Sequence, residues 1–443
     1  MKINKAFKYR LNPTKVQVLL LSQAGGNTRF VWNYFLDQNI NRHAMSGKFN
    51  FRYEMQEQLP LLKEALEFLE EGSHSQSLQM ICKQLDTALV DSFKNGKGFP
   101  KFKSKSSLDD SFTINQKFKI GKSYIYIPKI GKVPMVKHRA ILGKMKSITV
   151  SQDGDQWYVS INVIQKVKVK DVQVKPERSV ALDRGITKYA VLSDGNEIKN
   201  PKVLSKYESQ IKKRQRKLSK KEKGSRNRLK AQKNLRKIHR KVRNIRVDFL
   251  HKQSSDMIAK YDCLIMEDLA VSNMVKNHKL AKSISDCSWS EFERQLRYKL
   301  AWTGKSYVEI DRFFPSSKKC CRCGSKKSDL SLDDRVYVCK SCNLKIDRDL
   351  NASINIYNEG MRLLGQAFRI RVPTDCREFT SEDIGALLAG GGGVAPAWHS
   401  NLQMEDSEKV SHGTDLGIKI SQEATWACPV ECHLKIFLTS SLF

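Results

Sequence analysis

The chain has 443 residues, 40% of them hydrophobic, which is too long for one compact core and predicts two or three domains. Its formal net charge of +33 is clustered rather than spread, so the partner it predicts is a polyanion and not only bulk water. No apolar run approaches the ~20 residues of a membrane helix, and Met1-Lys2-Ile3-Asn4-Lys5 has no apolar signal core behind it; the expected setting is the cytoplasm, with no membrane partner and reduced thiols.

Ile3, Ala6, Phe7 and Tyr9 alternate enough to predict an opening strand. Asn12-Pro13 reads as a helix start, with Asn12 as cap and Pro13 in the first turn, and Gly25-Gly26 as that helix's end. A second helix from Asn27-Thr28 carries Phe30, Val31, Tyr34 and Phe35, and further helical segments follow at 53–71 and 75–94. Gly96 to Lys105 is a basic turn with two aromatics. From about 110 to 170 the period falls to two, and Ser147–Val150 and Trp157–Ile161 flank Asp153-Gly154, a hairpin signal. Residues 1–175 are therefore expected to be a mostly β domain with a helical insert over about 12–105.

Ser179 to Asp183 is an apolar strand ending on an acid. Tyr189 to Ser193 is a second strand, and Asp194-Gly195 turns into a third. The set resembles the opening hairpins of an RNase H-type fold. Between Lys202 and Arg246 fall 20 Lys or Arg against only Glu208 and Glu222. Gly224-Ser225 splits this stretch into two helices, within about 202–260. In the second, Leu235, Ile238, Val242, Ile245 and Phe249 recur at three and four, an apolar seam on a cationic helix. Lys212, Lys213, Arg216, Lys220, Arg226, Arg228, Arg236, Arg240 and Arg243 are the candidates for phosphate contacts without base preference. Leu264 to Glu267 is another strand ending on an acid, and Asp349 to Ile356 opens a final helix. Beyond 365 the pattern fades, and 366–443 reads as a variable, poorly ordered tail.

Cys320-x-x-Cys323 and Cys339-x-x-Cys342 stand fifteen residues apart. Each pair fits a turn that aims two thiolates at one ion, and together they predict a closed, structural zinc site with no position for water. Cys321 could stand in for Cys320, although the regular spacing favours Cys320. Cys428, Cys432 and His433 are three candidate ligands lacking a fourth, and Cys82, Cys263, Cys287 and Cys376 read as ordinary thiols. Asp183, Glu267 and Asp349 each mark an element end. Hydrolysis of a phosphodiester by two magnesium ions needs such hard oxygens, holding the ions ~3.5–4 Å apart. Alone, each acid reads as a surface acid or a cap.

Their company changes that. Lys5-Ala6-Phe7-Lys8-Tyr9-Arg10-Leu11-Asn12-Pro13-Thr14, Arg29-Phe30-Val31-Trp32-Asn33, Gln215 to Ser219, Asp248 to Lys252, Pro315-Ser316-Ser317-Lys318 and Asp347-Arg348-Asp349-Leu350-Asn351-Ala352 follow one another around the cysteine pairs. In this order they resemble TnpB, the RNA-guided nucleases of insertion sequences related to type V CRISPR effectors, over roughly residues 3–360. The resemblance implies a multidomain α+β chain. Residues 1–175 would be a β-barrel-like wedge domain with a helical recognition insert. A RuvC nuclease core, RNase H-like, would span 176–319 and resume at 343–365, with the zinc ribbon inserted at 320–342. It implies Asp183, Glu267 and Asp349 as the catalytic acids holding two magnesium ions, with Asp347 and Asp268 in supporting roles. The implied partners are a transposon-end guide RNA and double-stranded DNA beside a short flanking motif. Two departures are Arg184, a cation beside Asp183 that could perturb metal binding or touch substrate, and Ser353 for the usual alanine. A compact type V CRISPR effector is the alternative enzyme reading. A nuclease-dead repressor is disfavoured because all three acids are present.

Overall fold

The structure, a computed structural model, describes residues 1–104, 110–331, 334–365, 370 and 378–380. They fall into two compact units, divided after Val167.

The first unit opens with β1 (Lys2–Leu11) and then α1 (Lys15–Ser46), α2 (Arg52–Glu57), α3 (Leu59–Ala65), α4 (Glu67–Gly72) and α5 (Ser75–Lys94). Six strands follow: β2 (Ser111–Ile114), β3 (Lys119–Ile120), β4 (Tyr124–Ile127), β5 (Gly131–Val136), β6 (Lys144–Asp153) and β7 (Gln156–Lys166). All seven strands join one antiparallel sheet in the order β2-β6-β7-β1-β5-β4-β3. The sheet is an open half-barrel rather than a closed barrel, with β2 and β3 at its edges. Phe7, Tyr9 and Leu11 on β1 and Trp157, Val159, Ile161 and Val163 on β7 are its buried face, as alternation requires.

Two expectations fail here. The helix cap is Thr14, not Asn12: the Thr14 hydroxyl accepts from the Gln17 amide at 3.3 Å while Gln17 accepts from the Thr14 amide at 3.1 Å. Asn12 is still tied to the sheet, its amide donating to Pro134 at 2.8 Å. Nor does Gly25-Gly26 stop α1. A Cβ at Gly25 would overlap Asp110, and Arg29 pairs with Asp110 one turn on, so this glycine admits a neighbouring segment to a continuous helix. Val31, Trp32, Phe35 and Leu36 of α1 then pack with Leu78, Ile81, Leu85 and Leu89 of α5 as a separate helical core.

The second unit starts with β8 (Ser179–Arg184), β9 (Lys188–Leu192) and β10 (Glu197–Lys199), then α6 (Val203–Ser219) and α7 (Arg226–Lys260). It continues through β11 (Cys263–Glu267), α8 (Val271–Met274), α9 (Ala281–Cys287), α10 (Trp289–Thr303), β12 (Ser306–Ile310), β13 (Val336–Val338), β14 (Lys345–Asp347), α11 (Arg348–Leu363) and β15 (Glu378–Phe379). The main sheet runs β10-β9-β8-β11-β12, antiparallel through the hairpins and parallel from β8 to β12. Side-chain parity divides its cores. Val180, Leu182, Leu264 and Met266 face Leu250, Phe292, Leu296 and Leu300 of α7 and α10, whereas Ala181, Cys263 and Ile265 face Leu350, Ile354, Tyr357 and Met361 of α11.

Ser225 caps α7 as the Gly224-Ser225 break predicts. Leu235, Ile238 and Val242 pack on Val203, Tyr207 and Ile211 of α6, but Ile245 is exposed and Phe249 joins the sheet core instead. The predicted limits of the ribbon and the tail also move. The antiparallel strands β13 and β14 beside the cysteines reach Asp347, and β15 pairs in parallel with β14. Ile370 is buried, its amide donating to the Asn358 side chain at 2.8 Å. The rest of 366–443, with Cys376, Cys428, Cys432 and His433, lies outside the described residues.

Candidate active site and metal centre

Because β8 and β11 are parallel with Leu182 opposite Met266, the next residues, Asp183 and Glu267, end neighbouring strands side by side. By parity both share the face of Ala181 and Ile265, the face that α11 covers. Asp349 lies in the first turn of α11, where the Asp347 carboxylate caps the helix by accepting from the Asp349 and Leu350 amides, each at 3.0 Å. The structure thus brings the three predicted acids to one edge of the sheet, each half-buried. Burial raises the Asp183 pKa well above the ordinary carboxylate range, and the charges of Glu267 and Asp349 raise it further. Burial raises Glu267 too, against hydrogen bonding from Ser316 and the charge of Arg184. Asp349 is raised by burial and by Asp347. The three carboxylates are desolvated hard-oxygen groups at one sheet edge, although their oxygens do not all come within 4.8 Å of one another.

Arg184 does not join them. It points to the opposite face, where its side chain is 1% exposed and donates to the Glu267 carbonyl and to Glu293, the latter at 3.2 Å. It therefore braces the strand end from behind, while its charge still favours the ionised forms of Asp183 and Glu267. Asp347 is the helix cap and also pairs with Lys188 at 3.2 Å, while Asp268 pairs with Arg312. Ser353 turns its hydroxyl back to the Leu350 carbonyl at 2.8 Å, which explains why a polar residue is tolerated there.

Cys320, Cys323, Cys339 and Cys342 are, among the described residues, the one group of three or more His, Cys, Asp or Glu whose ligand atoms all lie within 4.8 Å of one another. The Cys320–Cys342 and Cys323–Cys339 sulfurs are 3.7 and 3.6 Å apart. A tetrahedron with Zn–S of about 2.3 Å has edges of about 3.8 Å, so the thiols fit zinc. Each pair is followed by a left-handed residue, Gly324 (φ 76) and Asn343 (φ 56), whose amides return to the carbonyls of Cys320 and Cys339. Cys321 is outside the set, its amide donating to Asn351 Oδ1 at 2.9 Å. The remaining described thiols are inert cores: burial pushes Cys82 and Cys263 up to about 12 and Cys287 up to about 11.

Three residues have contacts that the sequence reading missed. The Ser316 hydroxyl bonds Glu267 Oε1. Asn351 Nδ2 donates to the Lys319 carbonyl at 2.8 Å, and Asn355 Nδ2 to the carbonyls of Ser316 and Lys319 at 2.8 and 2.6 Å. The available signal was two asparagines four apart on the apolar face of α11, where an unpaired amide is costly.

Lys212, Lys213, Arg216 and Lys220 are exposed and, with Lys217, form one cationic stripe along α6, Lys212 also pairing with Glu208 at 2.8 Å. Arg226 and Arg243 are exposed on α7, and Arg236 and Arg240 are half-buried there. Arg228 is engaged: its guanidinium donates to the carbonyls of Leu218 and Lys221 at 3.2 and 2.7 Å, closing the end of α6. Arg178, unremarked in the sequence, pairs with Asp262 ahead of the first acid strand.

Comparison with known proteins decides the family. A protein of Streptomyces pristinaespiralis named "Putative RNA-guided DNA endonuclease" is 34% identical over 368 residues, spanning 81% of this chain and 90% of that one. A protein of Escherichia coli K12 named "Putative RNA-guided DNA endonuclease InsQ" is 32% identical, spanning 82% and 94%. The chain belongs to the TnpB family. Family models agree: "Probable transposase" of the OrfB_IS605 type matches residues 161–278, and "Cas12f1-like, TNB domain" matches 289–356. A "Helix-turn-helix domain" model of the same OrfB_IS605 type matches residues 1–48, although here they form a strand and one continuous helix. A cryo-EM structure of a Cas12f1–sgRNA–target DNA complex shares the fold, with a TM-score of 0.51 at 14% identity over 81% of this chain and 99% of that one. Among the described residues no helix is long and apolar enough to cross a membrane.

Proposed function

We propose that the chain is a magnesium-dependent, RNA-guided DNA endonuclease of RuvC type, and that Asp183, Glu267 and Asp349 are its catalytic residues. The observation that carries this reading is the convergence of the three acids at the β8/β11 edge beneath α11, in a family whose relatives are named RNA-guided endonucleases. The sheet order β10-β9-β8-β11-β12, with its parallel half starting at β8, supports the reading of an RNase H-like core. Two magnesium ions, when bound, would supply the charge that makes water nucleophilic and stabilises the leaving oxygen. The three carboxylates would hold those ions. Asp347 fixes Asp349 by capping α11, and Arg184 fixes the Glu267 backbone. No side-chain nucleophile is required. The four thiols would hold one structural zinc. The stripe of Lys212, Lys213, Arg216 and Lys220 would take phosphates of a guide–target duplex without reading sequence, base pairing doing that work. The guide is assigned to a transposon-end transcript and the target to duplex DNA beside a short flanking motif.

The test is to purify the chain expressed with its native locus, sequence the RNA that copurifies, and offer duplexes matched to it behind a randomised flank. Cleavage confined to matched duplexes with one flank is expected. Cleavage independent of the RNA, or none in magnesium, overturns the proposal.

A further inference from the structure

One short segment touches both centres. Ser316 meets Glu267, and four residues later Cys320 stands in the thiol cluster. Ser316 is 6% exposed, and its carbonyl and that of Lys319 are both held by the Asn355 amide. Asn351 grips the same segment at two points, the Lys319 carbonyl and the Cys321 amide. Both asparagines lie on α11, the helix that carries Asp349, and they are 0% and 4% exposed. The ribbon is no separate bead, since Cys320, Cys339, Tyr337 and Ile346 share one core with Leu350, Ile354 and Ile265. A buried amide with two carbonyls to satisfy has one rotamer that serves, so the latch has a defined closed state.

We infer that Ser316, Asn351 and Asn355 are positioning residues that tie the thiol site to Glu267, so that a filled thiol site holds the acids in register. This rests on the reading of Asp183, Glu267 and Asp349 as ion-binding acids. The Ser316 hydroxyl occupies one lone pair of Glu267 Oε1 and turns the carboxylate toward the α11 face. The asparagines keep Ser316 where it can do so, and the thiol knuckle anchors the far end of the segment. A partner of a metal-binding carboxylate typically sets about 10–100-fold in metal affinity.

The test uses the full chain with its copurified RNA and matched target, and titrates Mn²⁺ as the probe ion by electron paramagnetic resonance, alongside zinc content and target affinity. Ser316→Ala is expected to weaken Mn²⁺ binding about 10-fold with zinc content and target affinity unchanged, and Ser316→Thr to restore it. Asn355→Ala and zinc removal by a chelator should each weaken Mn²⁺ binding, and together should do no more than either alone, as members of one linkage do. Unchanged Mn²⁺ affinity in Ser316→Ala, or additive losses from Asn355→Ala and zinc removal, would overturn the latch while leaving the acid site standing. A wild-type complex that binds no more Mn²⁺ than Asp183→Ala would overturn both.

Discussion

Asp183 carries burial and two like charges at once, and each raises its pKa. A carboxyl whose folded pKa lies above its unfolded value favours the fold when protonated, and that contribution is lost as pH rises through the folded pKa. At neutral pH and without divalent ions this upward shift weighs against folding. Asp183→Asn should raise the Tm of the ion-free chain in calorimetry at pH 7, by about 2–4 °C for each kcal/mol of repulsion relieved. Protons and metal compete for the same oxygens, so the acid limb of cleavage should lie above the ordinary carboxylate range at low magnesium and move to lower pH as magnesium rises. A limb indifferent to magnesium would count against the assignment. Arg184 gives the opposite case, a buried cation whose loss removes a donor from the Glu267 carbonyl and leaves Glu293 to Arg297 alone. Arg184→Ala should lower stability by about 1–3 kcal/mol in denaturant unfolding. The three acids were legible because each stands where an apolar pattern ends. Ser316, Asn351 and Asn355 were not, because their partners lie 30 or more residues away and two of the three bond backbone carbonyls, which all residues share.

At the scale of elements, periodicity named β1, the β6–β7 hairpin, β8, β9, β11 and the cationic pair α6–α7. It missed β12, the edge strand whose Tyr307 and Val308 are only half-buried, and α10, although Phe292, Leu296 and Leu300 recur every four residues. Glycines misled where they serve approach rather than interruption. Gly25 admits Asp110, and Gly360 lets α11 descend onto Ile265 of β11, where any Cβ would overlap that side chain. Gly360→Ala should lift α11, and Asp349 with it. The expected cost is about 1–3 kcal/mol in thermal or denaturant unfolding, with cleavage falling more than target binding; unchanged stability would show that the helix has slack. Zinc removal should loosen β13 and β14 first, seen as faster amide exchange over 336–347 while β1 and β7 keep their protection.

For the whole chain, composition anticipated more than one core and a polyanionic partner. Composition could not show that the ribbon's core is continuous with the α11 side of the nuclease sheet, a property of packing between Tyr337, Ile346 and Leu350. The +33 charge makes one global prediction: target affinity should fall linearly in log–log form with salt, and substituting Lys212, Lys213 and Arg216 together by Gln should flatten that slope by about 2–3 for every target sequence alike. The central claim is that an RNA-directed cut depends on the three acids. The most direct measurement compares wild-type and Asp183→Ala complexes, each with its copurified RNA, for binding and for cleavage of the matched duplex in magnesium. The account predicts equal binding and cleavage by the wild type alone; an Asp183→Ala complex that still cuts the matched duplex would contradict it.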